Sequence, residues 1–208
     1  MSTSRHARML PSVILETERL RLRAFVEADI DDVYAGCTDA ELQQWIPIPR
    51  PGVRYTRQDA EQWCRQIAPG MRTGGEGQQW AVVERGSGRL IGSIGLVRTL
   101  WPAMNTEVGY WVAPWGRGRG YATEAAVAVS RWAIDQGFLR VEIKAATGNT
   151  GSRRVAEGAG FTLEGVERSA MPLHEGRTDL AVYSLLPSDL ARSRTPARGG
   201  APRADAAP

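Results

Sequence analysis

Between Gly116 and Ala122 the chain reads Gly-Arg-Gly-Arg-Gly-Tyr-Ala, directly after an apolar run and directly before a helical pattern. The chemistry available there is anion binding. The first N–H groups of a helix have no partner within the helix, and the helix dipole adds partial positive charge at the same end. Gly116, Gly118 and Gly120 let a diphosphate come close to the backbone, while Arg117 and Arg119 supply cationic donors. Two phosphate loops with similar composition do not fit. A dinucleotide fingerprint needs G-x-G-x-x-G early in a βαβ unit and an acidic residue on the next strand, whereas G-x-G-x-G stands here late in the chain. A Walker loop needs a following Gly-Lys-Ser/Thr, which is missing. A Gly-rich connection with solvated arginines is the plain alternative.

The elements around this loop set its position. Arg19 to Phe25 alternates polar and apolar and predicts a strand; Glu27 to Cys37, acidic in its first turn, predicts a helix. Thr56 reads as the cap of a second helix, stopped by Pro69 and Gly70. Trp80–Glu84 and Leu90–Val97 flank the turn signal Gly86-Ser-Gly88 and predict a hairpin, with Glu107–Val112 as the next strand, ended by Pro114. A long helix is expected over about 118–136, with Ala122, Ala125, Ala126, Val129 and Ala133 on one face and Gly137 as its C-cap. A strand over Leu139–Ala145, a short helix over Asn149–Glu157, and strands over Phe161–Arg168 and Leu180–Leu186 complete the order. A three-strand meander followed by βαβ predicts a mixed α/β sheet.

Arg117 to Ala122 also fits the Arg/Gln-x-x-Gly-x-Gly/Ala pattern of an acetyl-CoA pyrophosphate loop, and its surroundings strengthen that reading. The segments Leu15–Arg23, Glu107–Val112 with Pro114–Ala125, Asn149–Ser152 with Gly160-Phe161, and Leu163–Gly165 with Asp179–Leu186 stand in the right order. Together, from about Val13 to Leu190, the chain resembles the GNAT (GCN5-related) N-acetyltransferase superfamily, in its RimJ/RimL-like branch, which implies a bacterial protein. The resemblance implies a GNAT fold: a mixed, mostly antiparallel twisted sheet, helices on both faces, and a splayed slot for acetyl-CoA. It implies direct transfer of an acetyl group to a primary amine, without a metal or a covalent enzyme intermediate. By the same resemblance Glu107 is the candidate base, against the alternative of an ordinary strand-edge carboxylate. The N–H of Val112, beside a β-bulge, is the oxyanion donor. Ser152 serves the leaving thiolate and Asn149 the pantetheine, although both residue types also suit a helix start. Arg117, Gly118, Arg119, Gly120, Tyr121 and Ala122 form the cofactor-binding loop, with Tyr121 open to a packing role. A carboxylate on the strand after the last helix, used by some relatives, has no counterpart in Ser169-Ala-Met171, which leaves Glu167 and Glu175 as outside candidates. Trp45, Ile46, Pro47, Ile48 and Pro49 fall where the resembling folds cover the acceptor pocket, and read either as its wall or as core closure.

Composition narrows the partners. The chain has 208 residues, 42% of them hydrophobic, and a formal net charge of +3. One domain is the prior at that length. The segment 191–208 carries Arg192, Arg194, Arg198 and Arg203 against Asp205, which accounts for the whole excess of charge. The folded part is then near neutral, and nucleic acid is not an expected partner. One Arg-Gly-Gly at Arg198 without stacking aromatics is too little for RNA. The organisation expected is a flexible start over 1–12, an acetyltransferase domain over 13–190, and a disordered tail over 191–208. No stretch has the length of a membrane span, and Met1 to Ser12 lacks the apolar run of a signal peptide. His6 and His174 are too few for a metal site, and Cys37 and Cys64 match no metal or redox spacing, which suits the cytoplasm. The expected acceptor is a protein N-terminal α-amine or a small-molecule amine; self-association as a homodimer is compatible with the reading. A non-catalytic acyl-CoA-binding module is the rival.

Overall fold

The computed structural model describes residues 9–193, so the expectations for 1–8 and 194–208 lie outside the described residues. Eight strands form one sheet: β1 (Leu15–Glu16), β2 (Leu20–Arg23), β3 (Gln78–Glu84), β4 (Leu90–Leu96), β5 (Asn105–Val112), β6 (Arg140–Ala146), β7 (Thr162–Pro172) and β8 (Arg177–Leu185). Their order is β1-β2-β3-β4-β5-β6-β8-β7. Every neighbouring pair is antiparallel except β5 and β6, which are parallel. That one parallel pair follows from the long helix α5 (Tyr121–Asp135), which carries the chain back across the sheet between them.

Helices cover both faces. α5 turns Ala125, Ala126, Val129 and Ala133 onto the sheet, where with α6 (Thr150–Gly158) they pack against Leu96, Val108, Val141 and Ile143 in the larger core. The alanine stripe lets the helix lie close, and burying Val129 alone is worth about 1.5–3 kcal/mol. On the opposite face, α1 (Ile30–Cys37) and α3 (Arg57–Gln62) close a smaller core of Ile30, Val33, Cys37, Tyr55, Ala60, Cys64 and Ala81. Among the described residues, no helix is long and apolar enough to cross a membrane.

Several local expectations are corrected. The helix capped by Thr56 does not stop at Pro69. A π turn over Trp63–Ile67 leads into α4 (Ala68–Thr73), in which Pro69 lies in the first turn. The Ala68 N–H bonds the Trp63 carbonyl, and a proline early in the new segment lacks only an N–H that has no helical partner there. A further helix, α2 (Ala40–Trp45), is capped by Asp39, whose side chain accepts from the Leu42 N–H at 3.0 Å. α7 (Pro187–Ser193) follows the last strand, and Leu10 is buried in the larger core. β7 runs four residues beyond the predicted Arg168, to Pro172, through an irregular register after Glu167.

The opening in the sheet lies between β5 and β6. The two strands pair only over Asn105–Glu107 with Arg140–Glu142, and beyond Glu107 no pairing continues. The expected β-bulge is not in the ladder behind it: β4 and β5 keep one register from Gly92↔Val112 to Leu96↔Val108. The strands part because β6 pairs onward with β8, through Val141↔Leu185 to Ala146↔Leu180, and not because β5 buckles.

Candidate active site

One cavity of about 770 Å³ passes through this opening. Glu107, Val112, Arg117, Gly118, Gly120, Tyr121, Ala122, Asn149 and Ser152 all line it. Arg119 does not: its guanidinium pairs with Glu84 at 3.1 Å and lies 4.9 Å from the centre of the Tyr121 ring. Glu167 and Glu175 are also absent from the lining, while Met171 contributes to it.

Alternation along β5 divides the cavity. Successive strand residues face opposite sides of a sheet. Val108 and Tyr110 pack with α5 and α6 in the larger core, and Trp111 packs with α1 in the smaller one. Glu107 shares the parity of Trp111, so it faces the α1 side. The hydrogen-bond pattern adds a second division. Val97 N–H donates to the Glu107 carbonyl and Ala113 N–H to the Ile91 carbonyl, both at 2.9 Å. Odd-numbered residues of β5 therefore bond toward β4, and the N–H groups of Tyr110 and Val112 point the other way, into the opening that β6 has left.

Glu107 is largely enclosed, its side chain 16% exposed. Burial raises its pKa above the ordinary carboxylate value, while Arg98 and Lys144 pull it down. Arg98 stands 3.6 Å away with its own side chain mostly in solvent. Lys144 is occupied elsewhere, 2.6 Å from Glu167 and 4.0 Å from Glu142. A carboxylate that holds its proton more tightly than usual is a better proton acceptor once ionised.

On the other side of the opening, Asn149 caps α6 by accepting from the Ser152 N–H at 2.9 Å. That cap fixes the first turn of α6 and with it the Ser152 hydroxyl, whose oxygen lies 2.8 Å from the Tyr110 hydroxyl. Tyr110 is also 3.1 Å from the Ser152 carbonyl, to which it donates. Burial pushes its pKa up to about 12, so the phenol keeps its proton at working pH. Tyr110 was not among the residues assigned a role from the sequence. Its position on the strand opposite in parity to Glu107 was the available signal.

The loop leading into α5 has the conformation an anion cradle needs. Gly118 and Gly120 have φ of 72° and 76°, in the left-handed region that favours glycine. No side chain caps α5, so its first N–H groups are left for another acceptor. The Tyr121 hydroxyl donates to Glu84, and its ring packs under Arg19 at 4.8 Å. The Arg117 guanidinium bonds Asp39, and Glu41 at 2.8 Å, tying the loop to α2. His174 accepts the Gly52 N–H on Nδ1 at 3.2 Å, away from the cavity lining.

A family model described as an acetyltransferase (GNAT) domain matches residues 19–162. The chain is 27% identical over 176 residues to YoaA, an uncharacterized N-acetyltransferase of Bacillus subtilis, spanning 83% of this chain and 96% of that protein. Among solved structures it is similar to RimL, the ribosomal L7/L12 alpha-N-protein acetyltransferase in complex with coenzyme A. The TM-score there is 0.74 with 21% identity, over 84% of this chain and 98% of that one. It is also similar to the microcin C7 self-immunity acetyltransferase MccE in complex with acetyl-CoA and AMP, with a TM-score of 0.75 and 20% identity over 86% and 98%. At these identities the structural likeness establishes the fold.

Proposed function

The chain belongs to the GNAT acetyltransferase family, and from that premise we propose that it transfers an acetyl group from acetyl-CoA directly to a primary amine that enters on the Glu107 side of the sheet. The observation that carries this reading is the division of one cavity by β5: a raised-pKa carboxylate on one face, a Ser152–Tyr110 hydroxyl pair on the other, and inward N–H groups between them.

Each residue then has a task. The N-terminus of α5, with Gly118, Gly120 and Ala122, receives the pyrophosphate, and Arg117 joins once it exchanges Asp39 and Glu41 for phosphate oxygens. Asn149, occupied as the cap of α6, acts by placing Ser152 and contacts the pantetheine with its remaining groups. The Val112 N–H, fixed in the sheet, donates to the carbonyl oxygen as negative charge develops there. Glu107 takes the proton from an incoming ammonium, which titrates near ~8 for an α-amine and ~10.4 for a lysine. Ser152 hydrogen-bonds the departing sulfur, and Tyr110, held against the Ser152 hydroxyl and carbonyl, fixes where that hydroxyl points. Tyr110 acts through Ser152 and is a positioning residue.

The acceptor is a protein N-terminal α-amine or a small-molecule amine. The name of RimL, an alpha-N-protein acetyltransferase, supports the first of these, and the cytoplasm is the setting that goes with it. Free-thiol release from acetyl-CoA, measured across amines and N-terminal peptides, tests the reading. Turnover that requires both an amine and Ser152 supports it, and tight CoA binding with no amine acetylated favours a non-catalytic acyl-CoA-binding module.

A further inference from the structure

The α1 side of the cavity is walled by rings. Trp45, Tyr55, Trp63 and Trp111 line it together with Leu42 and Ile48. Three of these rings are held in place from behind. Tyr55 is buried among the residues of the smaller core, and Trp63 packs edge-on against Phe25 at 6.2 Å. Trp111 lies so close to Gly36 that a Cβ there would stand 2.7 Å from the indole. Trp45, at the end of α2, reaches across to Gly148 at the mouth of α6, where an added Cβ would be 3.1 Å from its ring. Rigid rings on several sides offer faces and edges at fixed positions, the geometry that favours a flat apolar group.

The charges on this side are nearly all spoken for. Among the described residues, two carboxylates line the cavity, Glu41 and Glu107. Glu41 is held by Arg117 at 2.8 Å, and the Lys144 ammonium by Glu167 at 2.6 Å. Gln79 and Ser93, the buried polar residues of the floor, face each other at 3.4 Å. Among the described residues that line the cavity, Glu107 is the carboxylate left without a close ion pair: the solvent-exposed Arg98 stands 3.6 Å away, and Lys144, bound to Glu167, acts on it only from a distance. One ready carboxylate in an apolar chamber suits one amine. A polyamine or a many-amine sugar would bring further cations into a chamber that strips their water and offers no partner.

Resting on the acetyltransferase reading, we propose that the acceptor is a monoamine whose amine is carried next to an uncharged, ring-bearing apolar body. Two sources share that chemistry: a free arylalkylamine, and a peptide whose N-terminal residue is aromatic. Both place the amine toward Glu107 and the ring among Trp45, Trp63 and Trp111. A single methylene in an apolar pocket already changes kcat/KM by about 10–200-fold, so leaving out a whole ring is expected to cost at least the lower end of that range.

The experiment is thiol release from acetyl-CoA with the full chain and a matched panel: 2-phenylethylamine, tryptamine, ethylamine, spermidine, and peptides beginning with Phe or Ser. At least one ring-bearing acceptor is expected to exceed ethylamine, spermidine and the Ser peptide by about tenfold or more in kcat/KM. Comparing 2-phenylethylamine with the Phe peptide separates the two sources. Trp45→Leu is expected to raise KM for the preferred acceptor several-fold, with Trp45→Phe restoring it; calorimetric binding of CoA shows that each variant is folded. A preference for spermidine, ethylamine or the Ser peptide overturns the proposal while leaving the acetyltransferase reading intact. No turnover of any ring-bearing amine also overturns it. CoA binding in that case separates failure of the acceptor class from failure of the fold's assigned chemistry, which absence of CoA binding would indicate.

Discussion

Removing the Tyr110 hydroxyl with Tyr110→Phe tests whether the two hydroxyls behind the opening act as a unit. The wild-type group makes two contacts, at 2.8 Å to the Ser152 hydroxyl and 3.1 Å to the Ser152 carbonyl. Each such hydrogen bond contributes about 0.5–1.5 kcal/mol net, so the variant is expected to lose about 1–3 kcal/mol. In a domain of this size each kcal/mol moves Tm by about 2–4 °C, which gives a fall of about 2–12 °C. Phe fills the same space, so no cavity term adds to this. The functional effect is expected in kcat, with little change in KM for acetyl-CoA, because the hydroxyl acts on the leaving sulfur through Ser152. A double-mutant cycle with Ser152→Ala reads the coupling directly. Tyr110→Phe in the Ser152→Ala background should cost no further kcat, and the stability coupling should fall in the range of about 0.5–3 kcal/mol for residues in contact. Additive losses in kcat would refute this coupling and leave Tyr110 as a packing residue.

Other consequences follow from the same geometry. Burial raises the Glu107 pKa, so the native chain holds that proton more tightly than the unfolded chain. The resulting cost is absent below the ordinary carboxylate value of about 4.3, grows as pH rises through the raised native value, and is fully present above it. Glu107→Gln should therefore melt higher than wild type near neutrality and converge with it at about pH 4, the exposed Arg98 partner adding little; thermal melts across pH check the convergence. Gly120 has φ of 76° and only Arg19 within 4 Å of an added Cβ, at 3.5 Å. Gly120→Ala should then cost about 1–2 kcal/mol through backbone strain, and weaken CoA binding in calorimetry by distorting the start of α5. Glu41→Gln should release Arg117 from one of its two carboxylates and tighten acetyl-CoA binding a few-fold at low salt, an effect that fades as salt is added.

The legible parts of this molecule were those encoded locally. The Gly/Arg loop, the alanine stripe of α5 and the Asn149 cap each announce themselves within a few residues, and the strand carrying Glu107 is bounded by Pro114. What escaped was set by contacts between distant segments. Tyr110 and Ser152 are 42 residues apart, and their meeting depends on how α6 docks beside β5. Arg117 looked like a free phosphate ligand because Asp39 caps, and Glu41 lies in, a helix of six residues, too short to show a period. Arg119 carried the same local signal as Arg117, yet the direction of its side chain sends it to Glu84. Pro69 ended a helix on paper, while the π turn before it shifts the hydrogen-bond frame so that the missing N–H costs nothing. The slot was expected from a bulge, and arises instead because β6 leaves β5 for β8.

Thiol release from acetyl-CoA by wild type and Glu107→Gln, followed across pH with the best acceptor of the panel, tests the central assignment most directly. A general base predicts a loss of about 10²–10⁴ in kcat for the variant. It also predicts an acid limb in the wild-type kcat/KM profile, lying above the ordinary carboxylate value, that the variant lacks. A variant that keeps wild-type kcat and the same pH profile would contradict the assignment and leave Glu107 as a buried carboxylate at the edge of the opening.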